Sequence, residues 1–180
     1  MTDPHAGKPY PSWLESTERL RDGTEIHLRP VRSEDEPLLQ DLAAHMTIDD
    51  LRLRFFAAIR DLNHVVAERL SHLDYDRGMA LLAEKDGLVL GVAGFQADAE
   101  RRTAEYAIAV RSDWKGRGLG YLLMTRVIAV AREWRIEELF GEVLRENRPM
   151  LAMCRQLGFR IASDPQDAGV MLVRNALSSA

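Results

Sequence analysis

The chain has 180 residues, enough for one domain with a full hydrophobic core and short for two. With 46% hydrophobic and 29% charged residues it has the balance of a globular domain, which excludes disordered and fibrous classes. A net charge of −4 lacks the bulk positive charge of a non-specific nucleic-acid binder, and a single cysteine excludes an intramolecular disulfide framework.

No apolar run approaches the ~20 residues of a membrane helix, and the N-terminus lacks the apolar stretch of a signal peptide. A cytoplasmic protein is expected, with neither membrane nor nucleic acid as partner. Residues 1–19, with Pro4, Pro9 and Pro11, read as a flexible arm whose end Trp13 and Leu14 anchor. Residues 20–175 form the domain and 176–180 a tail. Residues 23–29 read as the first strand, with Ile26 and Leu28 on one face. Ser33 and Glu36 form a capping box that starts a helix bearing Leu38, Leu39, Leu42 and Met46. Thr47 caps a second helix through Leu51 to Phe56, and Asn63 a third through Val65, Val66 and Leu70.

From Met79 the period changes to that of strands. Residues 79–84 and 89–96 are joined by Asp86-Gly87, a hairpin signal, and residues 102–111 form the next strand. The following helix carries Leu119, Leu123, Val127, Val130 and Trp134 on one stripe. A strand at 137–143 leads to a helix capped by Asn147, bearing Met150, Cys154 and Leu157 and ended by Gly158. Strands at 159–162 and 169–174 close the chain. Hairpin-linked strands are antiparallel and the strand–helix–strand crossover needs a parallel pair, so the expected fold is α/β (α+β) with a mixed, mostly antiparallel sheet flanked by helices.

Between the strand at 102–111 and its helix lies Trp114-Lys115-Gly116-Arg117-Gly118-Leu119-Gly120. Glycine permits positive φ and close approach of a ligand to the backbone. The free N–H groups and positive dipole end of the next helix attract phosphate oxygens. A bare strand-to-helix turn needs one glycine, not three within five residues beside Lys115 and Arg117. A P-loop string is absent. A dinucleotide fingerprint fails because Tyr121 stands where its last Gly or Ala is required, although Glu138 lies where a ribose-binding acid would.

The loop resembles the coenzyme A loop of the GNAT superfamily of N-acetyltransferases, Gln/Arg-x-x-Gly-x-Gly/Ala, with Lys115 in the first position. The segment Arg145-Glu146-Asn147-Arg148-Pro149-Met150, followed by Leu157-Gly158-Phe159, resembles the superfamily's second signature at the expected separation. The resemblance covers residues 20–174 and implies a single-domain GNAT-like fold with acetyl-CoA as co-substrate and no metal. It implies that Ile108, Ala109 and Val110 pair with the pantetheine arm and polarise the thioester carbonyl. It implies that Gly116 to Tyr121 (Gly116, Arg117, Gly118, Leu119, Gly120 and Tyr121) give N–H groups to the pyrophosphate, that Lys115 and Arg117 add charge, and that Asn147 contacts the coenzyme.

Acetyl transfer to an amine needs a base, because the amine arrives as an ammonium. The resemblance gives that role to Glu105, beside the small Ala107 and Ala109, and a carboxylate base calls for burial. The ordinary alternatives for Glu105 are a cross-strand partner of Arg101 or Arg102, or simply an exposed strand residue. Many superfamily members carry a Tyr four residues before the Gly of the Gly-Phe pair, as proton donor to the thiolate; here Cys154 stands there, a small buried hydrophobe by default, and the general acid stays unassigned. The segments Leu20-Arg21-Asp22-Gly23-Thr24 and Leu28-Arg29-Pro30-Val31 resemble bacterial protein-lysine acetyltransferase domains, which implies a protein lysine as acceptor. The alternatives are a small amine (polyamine, amino sugar or amino acid) and a non-catalytic acetyl-CoA-binding module. Asp49, Asp50, Asp61, Asp74 and Asp76, around the expected acceptor helices, suit either a cationic acceptor or, as the ordinary reading, a solvated acidic face.

Overall fold

A computed structural model describes residues 8–55 and 73–177. Its strands are β1 (Ser16–Arg19), β2 (Glu25–Pro30), β3 (Gly78–Lys85), β4 (Leu88–Ala97), β5 (Thr103–Val110), β6 (Glu138–Leu144), β7 (Arg160–Ser163) and β8 (Val170–Ala176). They form one sheet in the order β1-β2-β3-β4-β5-β6-β8-β7. Pairing is antiparallel throughout except between β5 and β6, which run parallel as the crossover between them requires. Among the described residues the α-helices are α1 (Glu36–Ala44), α2 (Ile48–Phe55), α3 (Leu119–Glu133) and α4 (Arg148–Gln156).

The central strands β3 and β4 are nearly continuous apolar runs because both faces of the sheet are covered. Alternate side chains feed two cores. Met79 and Leu81 join Phe95, Leu123, Val127 and Cys154 on the face covered by α3 and α4. Ala80 and Leu82 join Val31, Leu39, Leu42 and Val92 on the face covered by α1. The stripe read for α3 is the buried one: Leu119, Leu123, Val127 and Val130 are each at most 2% exposed.

Four sequence expectations change. The tail expected at 176–180 begins inside the fold, because β8 runs through Ala176 and Leu177 is buried in the core. The sheet begins at Ser16, inside the stretch read as an arm, because residues 16–19 pair with β2 and Leu14 and Leu20 enter the core. The box expected from Ser33 and Glu36 does not form. Instead Asp35 accepts the Arg32 N–H at 2.6 Å, drawn inward by two 2.7 Å hydrogen bonds from the buried Arg29, while Ser33 donates to Glu34. Asp50 does not belong to a solvated face. It is half-buried and bound to Ser112 and Lys115. The helix expected after Asn63 and the side chain of Asp61 lie outside the described residues.

Candidate active site

The site is built where β5 and β6 part. Their parallel register runs over three pairs, Thr103 with Glu138, Ala104 with Leu139 and Glu105 with Phe140, and then stops. On its other edge β5 stays paired with β4 as far as Val110. From Tyr106 onward the β6-facing edge of β5 therefore has no strand to pair with among the described residues. The resulting fork opens into a cleft of about 600 Å³, within the range of small-molecule sites. One wall is Glu105 to Val110; the other is Glu142, Val143, Asn147 and the Met150 and Met153 face of α4.

The glycine loop closes one end. Gly116 and Gly118 have φ of 76° and 87°, the left-handed region that glycine alone enters without strain, and a Cβ at either would meet nothing within 4 Å. Gly118 is the N-cap of α3 and supplies no side chain, so no side chain caps the first-turn N–H groups of this 15-residue helix. An anion is the natural cap for such an end. At the opposite rim, the Asn147 carboxamide accepts the Met150 N–H at 3.3 Å, so it does cap α4 while also lining the cleft.

α2 crosses from one rim to the other. Thr47 caps it by accepting the Asp50 N–H. Asp50 then binds Ser112 and Lys115 at the glycine loop, and Arg52 pairs with Glu146 at the Asn147 rim. Burial raises the Asp50 pKa, but the hydrogen bonds from Lys115 and Ser112 outweigh it, and the carboxyl lies below its ordinary value. Beyond these anchors Leu53 and Arg54 line the cleft. Burial draws the Arg54 pKa below the guanidinium value, against the opposing influence of Tyr106 and Glu105.

Most of the residues singled out from the sequence converge here: Glu105, Ile108, Ala109, Val110, Lys115, Gly116, Gly118, Gly120, Tyr121 and Asn147 all line the cleft. Two do not. Leu119 is 1% exposed in the core, so only its backbone can serve a ligand. Arg117 is drawn away to Asp22 and Thr24 of the β1–β2 turn and stacks over the Trp114 ring at 3.9 Å. The Lys115 charge is met by Asp50. Glu105 is exposed, so the burial expected of a base is not provided by the chain alone. It is not a partner of Arg101 or Arg102, since Arg102 pairs with Glu137 and Arg101 lies over Trp134 and near Asp76. Residues that the sequence reading did not select are Asp50, Arg54, Tyr106 and Glu142. Alternation along β6 places Glu142 on the face of Phe140 and hence of Glu105, a signal available once the strand register is known.

The chain belongs to the Acetyltransferase (GNAT) family, whose model matches residues 38–159. It is therefore an acetyltransferase, and its eight-stranded sheet with flanking helices is the GNAT fold. An acetyltransferase of Pseudomonas aeruginosa is 30% identical over 92% of this chain and 89% of its own length. The L-amino acid N-acyltransferase MnaT of Escherichia coli is 30% identical over 52% of this chain and 57% of that protein. Among solved structures, the GNAT domain of S. lividans PAT superposes with a TM-score of 0.86 at 26% identity, covering 93% of this chain and 99% of that one. Among the described residues no helix is long and apolar enough to cross a membrane.

Proposed function

We propose that the chain transfers an acetyl group from acetyl-CoA to the side-chain amine of a protein lysine, with Glu105 as general base. The observation that carries this reading is the fork, which joins an open β-edge, an uncapped helix N-terminus and a carboxylate in one cleft. Those three features fit the coenzyme part by part. The N–H groups beyond Gly116 and Gly118 suit a diphosphate, with Lys115 beside them. The free edge of residues 106–110 offers backbone donors and acceptors to an amide-bearing arm. Asn147 stands across the cleft. When bound, the coenzyme supplies an acyl group activated as a thioester.

The chain's own residues do the rest. Glu105 accepts the proton of the incoming ammonium, directly or through a water, so that the nitrogen arrives with a free lone pair. The small Ala107 and Ala109 share its face and leave the approach clear. An N–H on the free edge of β5 donates to the acyl oxygen as charge develops there. Holding both partners in one cleft supplies a large part of the acceleration.

Two things support a protein lysine as acceptor. The resemblance to protein-lysine acetyltransferase domains extends through the N-terminal segments, and the likeness to the GNAT domain of S. lividans PAT spans nearly the whole of this chain and of that domain. The exposure of Glu105 fits as well, since a lysine on a folded protein can reach a base at an open mouth. A free amino acid is the second reading, favoured by the likeness to an L-amino acid N-acyltransferase over half of the chain. The single cysteine suits a reducing, cytoplasmic setting.

Initial rates of thiol release from acetyl-CoA, with purified lysine-containing proteins set against a panel of amino acids, polyamines and amino sugars, separate the readings. Acetyl-lysine on protein with negligible turnover of the panel is the expected result. Robust turnover of free amines alone would overturn the protein acceptor.

A further inference from the structure

Glu105 answers the need of the incoming nitrogen and leaves that of the outgoing sulfur. As the carbon–nitrogen bond forms and the carbon–sulfur bond breaks, the bonding pair passes to sulfur, and a hydrogen-bond donor there lowers the barrier. Among the described residues lining the cleft, the side chains that bear a hydroxyl are Tyr106 and Tyr121. Tyr121 is 43% exposed on the first turn of α3, at the phosphate end. Tyr106 directly follows the last β5 residue that pairs with β6, at the point where the fork opens.

The ring of Tyr106 is fixed from several sides. Gly141 of β6 lies so close that a Cβ there would sit 2.5 Å from a ring carbon, and Phe159 meets the ring edge-on at 5.6 Å. Its hydroxyl is 3.6 Å from Cys154 Sγ of α4, so an oxygen–sulfur contact is already made at this point. The short Cys154 side chain leaves the hydroxyl of Tyr106 the space it occupies. Neighbours on a strand project to opposite faces, so at the fork Glu105 and Tyr106 point to opposite sides of the sheet, Glu105 exposed and Tyr106 8% exposed beneath the cleft wall.

We infer that Tyr106 is a catalytic residue, whose hydroxyl donates a hydrogen bond to the departing coenzyme sulfur. The inference rests on placing acetyl-CoA in this cleft. In the balanced step Glu105 has already taken the ammonium's proton; the nitrogen–carbon bond then replaces the carbon–sulfur bond, the second nitrogen proton leaves to water, and sulfur departs as a thiolate that takes its proton from solvent. The phenol stays neutral throughout, because burial and then Cys154 hold its pKa far above the usual phenol range. It acts as a donor and not as a proton source.

The test needs no acceptor. Coenzyme A is bound to the wild type, and the absorbance of its thiolate is titrated with pH, against Tyr106→Phe and Cys154→Ala. The wild type is expected to hold the bound thiolate about 10- to 100-fold more favourably than Tyr106→Phe, read as a thiol pKa about one to two pH units lower. Cys154→Ala removes the hydroxyl's present partner along with a buried core contact, and is expected to keep the wild-type titration once melts show the variant folded. In acetyl transfer, Tyr106→Phe lowers kcat by a similar factor with KM for acetyl-CoA little changed. Identical titrations for wild type and Tyr106→Phe would overturn the inference while leaving the cleft assignment intact, and an equal shift in Cys154→Ala would overturn it in favour of packing. Failure of coenzyme A to bind the wild type would overturn both.

Discussion

Gly141 gives a direct probe of how tightly the fork is built. A Cβ at this position would lie 2.5, 2.8 and 3.1 Å from three ring carbons of Tyr106. Carbon atoms in good contact sit about 3.5–4.0 Å apart, so the ring must move by roughly an ångström. Retreat is blocked by Phe159 at 5.6 Å between centroids and by Cys154 at the hydroxyl. Gly141→Ala is thus an overpacking change at a buried site, expected to cost about 1–3 kcal/mol. For a chain of this size each kcal/mol lowers Tm by about 2–4 °C, so thermal melts followed by circular dichroism should show a fall of roughly 2–12 °C. Turnover should fall as well, since the displaced ring is the wall of the cleft. Adding Tyr106→Leu should restore part of the lost stability, a non-additivity that marks direct contact. A variant melting within about 1 °C of wild type would refute the packing described for the fork.

Three other sites give independent tests. Asp35 is 3% exposed and bound to Arg29; burial raises its pKa, but the hydrogen bonds from Arg29 and the Arg32 N–H outweigh it and hold the carboxyl below its usual value. Its stabilisation is therefore complete above the unfolded carboxyl pKa of about 3.9 and is lost as pH falls through the lower folded value. Asp35→Ala should cost about 3–5 kcal/mol at neutral pH in urea unfolding and flatten the acid limb of the stability profile. Asp50→Asn frees Lys115 from its carboxylate, and calorimetry should show coenzyme A binding roughly three- to tenfold tighter at low salt, with the gain shrinking at high salt. Asn147→Ala removes the cap of α4 and should lose about 1 kcal/mol in thermal melts; a coenzyme A affinity that falls as well would assign the carboxamide both tasks.

The fold was legible wherever a local rule had no rival. Asp86-Gly87 marked the β3–β4 hairpin, with positive φ at both residues, and Gly158 marked the end of α4 at φ 89°. The stripe of α3 and the strand before the glycine loop were readable from period alone. Ser16–Arg19 escaped because a short edge strand with alternating exposure carries little apolar signal. The capping box at Ser33 was misplaced because the buried Arg29 competes for the nearest carboxylate, a long-range preference that local spacing does not encode. The same limit applies at the site. The glycine loop, Glu105 and Asn147 each sit on a local pattern, but the contacts of Asp50 with Lys115, 65 residues on, and of Tyr106 with Cys154, 48 residues on, exist only once the sheet is assembled. Arg117 looked like a phosphate ligand because it lies in the loop, and its partner Asp22 comes from a turn 95 residues earlier.

The measurement that bears most directly on the assignment of the cleft is a single-turnover acetyl transfer by wild type and Glu105→Gln, with coenzyme A affinity measured by calorimetry on both. Predicted is a coenzyme affinity within about twofold of wild type together with a transfer rate lowered by about 100-fold or more, the residual rate climbing with pH as the acceptor loses its own proton. Equal transfer rates in the two proteins, with coenzyme bound to both, would contradict the account.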